Sequence, residues 1–213
     1  MVSQPAVDQS RLEIIAAGRR LHDKGLITAS QGNISVRTDA GLLVTASGVG
    51  KGALTPSLVL DTDLRGRASR PGVSSEIHMH VAIYQRRPDV RAVVHAHPPS
   101  ATAFAVAGLR LDSNLLAESV LLLGRVPLVP YAAPSTPTLA EMVGDAMREA
   151  QAALLANHGA VSVGETLDQA LGRMETLEHL ARVTLLARVL GEPQRLAADE
   201  VERLLGLASA PYR

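Results

Sequence analysis

The sequence predicts a layered α/β fold around a mixed or antiparallel sheet. Helical and strand-like segments alternate along the chain, and short turns between neighbouring strand-like segments indicate hairpins, which a doubly wound parallel sheet lacks. The chain has 213 residues, of which 46% are hydrophobic and 20% are charged. Such a chain can bury a sizeable core, and no linker, repeat or low-complexity tract divides it. We therefore expect one domain over residues 1–213.

The N-terminal half predicts two helices and four strands. Leu12 and Ile15 have helical spacing in an amphipathic segment that ends at Gly25. A turn at 39–41 joins two strand-like segments into a hairpin, and Pro88 closes the second helix. The expected bounds are helices over Asp8–Lys24 and Ser75–Arg87, strands over 33–38, 42–47, 57–63 and 90–97, a flexible glycine-rich loop over 48–52 and a further loop over 65–73.

The C-terminal half predicts four more helices and a strand pair. Thr166 and Gln169 form a capping box, and Leu167, Leu171 and Met174 continue from it at roughly helical spacing. The expected bounds are helices over 100–108, 138–150, 166–190 and 198–207, a strand near 126–131 and two strands within 152–164, interrupted at 158–159.

Composition and charge argue against several classes of protein. With 21 basic and 21 acidic residues the formal net charge is zero, and aromatic residues make up only 2%, which disfavours nucleic-acid binding. The absence of cysteine excludes disulfides, thiol nucleophiles and cysteine-based zinc sites. The N-terminal residues lack a secretory pattern, and no apolar stretch reaches about 18 residues. We therefore expect a cytoplasmic protein that binds no membrane.

Two histidine pairs have the same spacing but different geometry. His95 and His97 lie two apart on a predicted strand, so both side chains leave the same face and can share a cation. His78 and His80 lie two apart on a predicted helix, where their directions differ by roughly 200°. The strand pair can therefore belong to a metal site, although the pair alone does not distinguish a ligand role from a structural one.

A third ligand is expected because a catalytic zinc site uses three protein ligands and one open position. His158 is the best candidate, since it also ends an apolar strand and is followed by Gly159. A rival site would use Glu76 and His80, which lie four apart on one face of the predicted helix. Glu76 is equally explained as a first-turn glutamate that the helix dipole favours.

Three segments are rich in small hydrogen-bond donors: QGNIS (31–35), TASGVGKG (45–52) and VSSE (73–76). Exposed backbone N–H groups, hydroxyls and the helix start at Ser74 and Ser75 suit a phosphate group. None of the segments has the glycine spacing of a Walker or dinucleotide motif, so a nucleotide-binding function is disfavoured.

Taken together and in order, these motifs resemble a known family. GNIS, TASG, SSE with a helical histidine, VVHAHPPSATAFA and NHG are similar to the class II aldolase/adducin-head family, most of all to its L-fuculose-1-phosphate aldolase branch, over about 12–190. The resemblance implies an α/β fold, a three-layer αβα sandwich with a central mostly antiparallel sheet. It also implies a homotetramer with active sites at subunit interfaces.

The resemblance also implies a role for each matching residue. A histidine triad would bind a divalent metal, and its members would be His95, His97 and His158. The metal would most often be Zn²⁺, with Mn²⁺ or Co²⁺ as alternatives. Glu76 would be the catalytic acid/base, and Tyr131 would assist at a neighbouring subunit's site. The phosphate would be held by Asn33, Ser47, Gly48, Ser74 and Ser75. Tyr212 matches a C-terminal tyrosine of some members, and the loop containing Lys51 departs from the fuculose-type pattern.

The implied activity is reversible retro-aldol cleavage of a ketose 1-phosphate of the fuculose, ribulose or 5-deoxy/methylthio-ribulose type, giving dihydroxyacetone phosphate and an aldehyde. A 4-epimerase and a methylthioribulose-1-phosphate dehydratase of the same fold stay open, although the epimerases are expected to have aspartate in place of Glu76. A non-catalytic adducin-like module would lack the metal ligands and the acid/base. A structural metal site would need a fourth ligand, for which no histidine or cysteine is suitably placed.

Overall fold

The computed structural model describes residues 4–68 and 70–208. Its strands are β1 (Asn33–Thr38), β2 (Gly41–Thr45), β3 (Val59–Thr62), β4 (Ala92–Ala96), β5 (Leu128–Val129), β6 (Ala152–Leu155) and β7 (Gly159–Gly164). They form one seven-stranded sheet in the order β3-β2-β1-β4-β7-β6-β5. Neighbouring strands are antiparallel except for the parallel pair β5 and β6. The mostly antiparallel sheet is therefore confirmed.

Helices cover both faces of the sheet. They are α1 (Gln4–Asp23), α2 (Ile77–Arg86), α3 (Pro99–Val106), α4 (Ala117–Leu122), α5 (Pro137–Ala146), α6 (Leu167–Leu190) and α7 (Ala198–Ala208). On one face, Leu21 of α1 and Met174 of α6 belong to the same buried cluster as Val94 of β4. On the other face, Ile83 of α2 belongs to a second cluster with Val93. Because successive strand residues point to opposite faces, this alternation confirms the three-layer αβα sandwich.

The register of three central strands brings several predicted site residues to one edge of the sheet. Asn33 at the start of β1 lies opposite His95 near the end of β4, and Ala96 lies opposite Ala160 at the start of β7. Antiparallel neighbours run in opposite directions, so the start of β1, the end of β4 and the start of β7 coincide. His95 has the same strand parity as Val93 and therefore points towards the layer of α2 and α5.

Helix α2 begins two residues later than predicted. Its first helical residue is Ile77 rather than Ser75, and Glu76 has a non-helical backbone (φ −90°, ψ 8°) at the N-cap position. The backbone N–H of Ile77 donates to the carbonyl of Ser74 at 3.1 Å, so a turn precedes the helix. Glu76 therefore lies at the start of the helix, next to the edge of the sheet, instead of on its first turn.

Helix α5 ends at Ala146, whereas the sequence predicted a helix up to residue 150. The Nη1 atom of Arg87 donates to the carbonyls of Met147 at 3.1 Å and Ala150 at 3.2 Å. A side chain from outside the helix therefore satisfies backbone acceptors beyond its last turn, and the chain can turn into β6 without leaving these carbonyls unpaired.

The glycine-rich segment predicted as a flexible loop contains a short 3-10 helix, Lys51–Ala53. Lys51 is only 1% exposed there, although lysine usually lies at the surface. The predicted site residue Tyr212 lies outside the described residues. Among the helices that the structure describes, none has the length and apolarity required to cross a membrane.

Candidate active site

Three histidine side chains converge at the edge of the sheet where β4 ends and β7 begins. Their ring centroids lie 4.9 Å apart for His95 and His97, 4.8 Å apart for His95 and His158, and 5.0 Å apart for His97 and His158. One nitrogen from each ring lies within 4.8 Å of the others. The structure thus brings together the three predicted metal ligands, and within the described residues no other set of His, Cys, Asp or Glu has this geometry.

The tautomer of His95 is fixed by the sheet. Its Nδ1 atom lies 2.9 Å from the carbonyl oxygen of Ala160, which can only accept, so Nδ1 carries the hydrogen and Nε2 presents its lone pair. His97 Nε2 lies 3.1 Å from that His95 Nε2. Burial, with the neighbouring His95 and His158, lowers the pKa of His97 to about 3, which leaves its ring neutral at neutral pH.

Two glycines permit the close packing of backbone around these rings. A Cβ atom on Gly32 would lie 2.6 Å from the carbonyl oxygen of His95, and the φ of Gly32 is +68°. A Cβ atom on Gly159 would lie 2.6 Å from the carbonyl oxygen of Ala96 and 2.7 Å from Cδ2 of His97. Any side chain at either position would therefore displace the end of β4 that carries the histidines.

Glu76 lies between two of the three histidines. Its Oε2 atom is 3.3 Å from His95 Nε2, and its Oε1 atom is 3.2 Å from His158 Nε2. The side-chain amide of Asn33 donates to Oε2 at 2.8 Å. Burial acts to raise the pKa of Glu76, but the adjacent His158 and His95 outweigh burial and hold the pKa well below its ordinary value. Glu76 is therefore a carboxylate in a largely enclosed place.

A buried chain of hydrogen bonds fixes the Asn33 amide. Because Nδ2 of Asn33 donates to Glu76, its Oδ1 accepts from Nε2 of His80, so the Nδ1 of His80 accepts the Ser35 hydroxyl proton at 2.7 Å. The Oγ of Ser35 lies 2.8 Å from the hydroxyl of Tyr84. Burial lowers the pKa of His80 to about 3, so the imidazole is neutral. Both nitrogens of His80 are thus occupied, and the structure does not support the rival metal site of Glu76 with His80.

A cavity of about 330 Å³ opens beside Glu76, His97 and His158. All five residues predicted to hold a phosphate line it, namely Asn33, Ser47, Gly48, Ser74 and Ser75. Gly48 has a φ of +70°, a conformation that favours glycine and leaves no Cβ above the loop. The predicted donor segments therefore do meet at one place, next to the histidines.

Tyr131 lies apart from this cavity within the single chain. It follows β5 and is 61% exposed. Ser135, from the same segment, does line the cavity, and its hydroxyl donates to the hydroxyl of Ser75 at 2.8 Å. The role of Tyr131 at a neighbouring subunit's site thus stays a prediction.

Comparison with known proteins assigns the family. The sequence model of the class II aldolase and adducin N-terminal domain matches residues 12–185, which is most of the chain. The chain belongs to this family. The family match and the relatives that are named aldolases make this member an aldolase-type lyase. Class II aldolases depend on a divalent metal, and the histidine triad of this chain is suited to such an ion.

The relatives of this class II aldolase differ in what they are named for. A 5-methylthioribulose-1-phosphate/5-deoxyribulose-1-phosphate aldolase of Rhodospirillum rubrum is 35% identical over 90% of this chain and 87% of its own. A 3-oxo-tetronate 4-phosphate decarboxylase of Escherichia coli K12 is also 35% identical, over 93% and 96%. The crystal structure of L-fuculose-1-phosphate aldolase from Thermus thermophilus has a TM-score of 0.79 and 37% identity, covering 89% and 99%.

The donor set of this class II aldolase fits a divalent cation. His95 presents an unprotonated Nε2 atom because its Nδ1 atom is committed to a backbone carbonyl, a frequent arrangement for metal-binding histidines. His158 Nδ1 is buried with no hydrogen-bond partner. Three neutral imidazoles suit zinc, cobalt or manganese. In the described chain no fourth histidine or cysteine joins the triad, as expected for a catalytic rather than a structural site.

Three residues around the site of this class II aldolase have contacts that the sequence did not predict. They are His80, which orients Asn33, Lys51, which lines the cavity, and Ser135, which contacts Ser75. One signal for His80 was present in the sequence. Asn33 and Ser35 alternate with the apolar Ile34 and Val36 and therefore share one face of β1, and buried polar side chains require polar partners on the element that packs against them.

Proposed function

We propose that the chain is a metal-dependent aldolase that reversibly cleaves a ketose 1-phosphate to dihydroxyacetone phosphate and an aldehyde. The observation that supports this best is the position of Glu76. Its carboxylate lies within 3.3 Å of two triad histidines and borders the cavity that contains the phosphate-type donors. A proton-transfer group, a metal site and an anion site within one cavity are the parts that this reaction requires.

The metal site would be formed by His95, His97 and His158, with Zn²⁺ the expected ion and Mn²⁺ or Co²⁺ as alternatives. A divalent cation there supplies a Lewis acid that stabilises negative charge developing on the substrate's oxygens. The neutral state of the ligands preserves the full charge of the cation. The sheet orients His95, because its Nδ1 donates to the carbonyl oxygen of Ala160.

Glu76 would transfer the proton at C3 of the ketone fragment that remains after cleavage. Cleavage breaks the C3–C4 bond as the C4 hydroxyl loses its proton, and the electron pair remains on the ketone fragment, which then takes a proton at C3. Glu76 borders the cavity as a carboxylate that can take up and return this proton, and the Asn33 amide fixes one of its oxygens. Tyr131 of a neighbouring subunit would assist at the aldehyde oxygen.

The substrate's phosphate would lie among the hydroxyl and backbone donors of the cavity, namely Asn33, Ser47, Gly48, Ser74 and Ser75. Because these donors line the same cavity as His97 and His158, they would fix the phosphate end of the substrate beside the metal ligands while the other end varies. The relative from Rhodospirillum rubrum favours 5-methylthioribulose or 5-deoxyribulose 1-phosphate as the substrate class.

A second candidate is decarboxylation of a 3-oxo acid phosphate, favoured by the similarity to the Escherichia coli decarboxylase over 93% of this chain. Both reactions break a carbon–carbon bond and leave a carbanion beside a carbonyl group, so the same residues serve either one. The two differ in the fragment that leaves, which is an aldehyde in one and carbon dioxide in the other.

The experiment is a screen of fuculose, ribulose, 5-deoxyribulose and 5-methylthioribulose 1-phosphates and 3-oxo-tetronate 4-phosphate. Dihydroxyacetone phosphate and carbon dioxide are detected separately, before and after chelation of the metal. Release of dihydroxyacetone phosphate from a ketose 1-phosphate, without carbon dioxide, that stops on chelation supports the aldolase. Carbon dioxide released together with dihydroxyacetone phosphate from 3-oxo-tetronate 4-phosphate supports the second candidate. An epimerised or dehydrated product assigns the chain to another activity of the fold, and no turnover with no bound metal supports the adducin-like module.

Glu76→Gln tests the role of the carboxylate. The amide keeps the shape of the side chain but cannot transfer the proton, so kcat is expected to fall about 10²- to 10⁴-fold while the metal content stays unchanged. His78→Gln, which changes an exposed imidazole two residues away, is the matched control. Full activity of Glu76→Gln at saturating metal would show that the proton-transfer role is wrong.

We further propose a cytoplasmic homotetramer with active sites at subunit interfaces. The exposure of Tyr131, at 61%, is consistent with a contact outside its own chain. Light scattering coupled to size exclusion measures the oligomeric state, and a monomer that retains full activity would contradict the interface site.

A further inference from the structure

Lys51 is a buried lysine for which the reaction described above has no use. Among the described residues that are less than 2% exposed, Lys51 has one of the largest side chains. Its Nζ atom donates to the carbonyl oxygen of Val49 at 2.7 Å and to that of Ser30 at 3.0 Å. Burial of an ammonium group whose hydrogen-bond partners are uncharged carbonyls is unfavourable, and lysine is almost never fully buried without a charged partner. A buried lysine beside the cavity therefore calls for a functional explanation.

The two carbonyls belong to the two loops that border the cavity. Ser30 precedes β1 by three residues, and Val49 directly follows Gly48 in the loop after β2. Both loops contribute lining residues to the cavity, as does Lys51 itself. A single side chain therefore ties together the backbone on two sides of the place where phosphate donors meet.

Lys51 is also the only lysine or arginine among the described residues that line this cavity. The other candidate phosphate ligands are hydroxyls, an amide and backbone N–H groups, which carry no net charge. Burial lowers the pKa of Lys51, and the negative charge of Glu76 opposes this shift. A phosphate dianion in the cavity would act in the same direction as Glu76 and favour the charged ammonium.

We propose that Lys51 is the positioning and charge-supplying residue of the phosphate subsite, which selects a phosphate monoester dianion over an uncharged group at that end of the substrate. The inference rests on the proposed function in one respect, the presence of a phosphate on the substrate. Its two components are separable. The hydrogen bonds shape the loops, and the charge attracts the dianion.

Two variants separate these components. Lys51→Met removes both the hydrogen bonds and the charge at similar side-chain length, whereas Lys51→Gln retains an N–H donor but carries no charge. The probes are inorganic phosphate and dihydroxyacetone, each titrated calorimetrically into the metal-loaded protein. Dihydroxyacetone keeps the hydroxyketone of the expected product and lacks the phosphate, so it is the matched control ligand. Thermal unfolding and metal content verify that each variant is folded and loaded.

Both variants are expected to bind inorganic phosphate about tenfold or more weakly than the wild type, because a charge-assisted contact is lost, with dihydroxyacetone binding unchanged. Lys51→Met is expected to be the weaker of the two. Phosphate affinities within about twofold of wild type in both variants would overturn the proposal, as would wild-type affinity in Lys51→Gln alone, since the charge would then be dispensable. An equal loss for both ligands would also overturn it, because the defect would then lie outside the phosphate subsite.

This test does not depend on turnover. If the substrate screen finds no aldol cleavage but phosphate binding still requires Lys51, the proposed function fails and the phosphate subsite stands. If cleavage is found but phosphate binding does not require Lys51, only the role proposed for Lys51 fails.

Discussion

Replacement of His80 by leucine should destabilise the protein by an amount that depends on pH. The imidazole is 0% exposed, and it accepts from Ser35 and donates to Asn33. Leucine fills a similar volume but leaves the Asn33 carbonyl without its buried donor, while Ser35 keeps its contact with Tyr84. An unsatisfied buried acceptor costs about 1–3 kcal/mol, so a loss of about 2–3 kcal/mol in the free energy of unfolding is expected at pH 7.

The pH dependence follows from the lowered pKa of His80. The pKa is about 3 in the folded protein against 6.5 for a free histidine, so the folded state holds the ring neutral while the unfolded state takes up a proton. The stabilisation is fully present above about pH 6.5 and is lost as the pH falls towards 3. One pKa unit corresponds to about 1.4 kcal/mol, so the wild type loses about 2 kcal/mol between pH 7 and pH 5 through this residue. The leucine variant has no such loss.

The difference in stability between wild type and variant should therefore shrink from about 2–3 kcal/mol at pH 7 to about 1 kcal/mol or less at pH 5. Urea unfolding of the chelator-treated proteins at one fixed protein concentration measures it. His78→Gln changes an exposed histidine of the same helix and should show no shrinkage. An equal difference at both pH values would refute the assignment of His80 as a buried neutral donor.

Two further substitutions test how the fold positions the ligands. Gly159→Ala places a methyl group 2.7 Å from Cδ2 of His97, so metal affinity measured by competition with a chelator should fall about tenfold or more; unchanged affinity would show that the backbone can yield there. The two carboxylate oxygens of Glu178 accept hydrogen bonds from the backbone N–H groups of Ser100 at 3.0 Å and Ala101 at 2.9 Å, at the start of α3. Glu178→Gln removes the negative charge and one of these two acceptor oxygens. The free energy of unfolding should fall by about 1 kcal/mol, measured by urea unfolding, and an unaltered midpoint would contradict this contribution.

The metal ligands were predictable because their geometry is local. Alternation on a strand places His95 and His97 on one face whatever the rest of the fold does, and the same rule excluded the helical pair. His158 required only the end of an apolar strand and a glycine after it. These three inferences use a spacing of a few residues, and the structure shows the three side chains together.

The surroundings of the site were not predictable in the same way, because they depend on pairing across the chain. Nothing near His80 in sequence indicates that it meets Asn33, which lies 47 residues earlier. Lys51 looked like part of a flexible glycine-rich loop, since its carbonyl partner Ser30 lies 21 residues away. The early end of α5 likewise depends on Arg87, a residue from another part of the chain. Such contacts are fixed by the register and by helix packing, which sequence periodicity does not report.

The alternation of side chains along β4 determines both which residues enter each core cluster and which way His95 points. Val94 belongs to the apolar cluster beneath α6, while Val93 belongs to the cluster beneath α2, and His95 follows with the parity of Val93. A shift of one residue in this strand would direct the imidazole into the apolar layer of α6 and remove it from Glu76. Because both faces of the sheet are covered, such a shift would also exchange the two sets of core residues. The same burial that stabilises the strand therefore enforces the register on which the metal site depends.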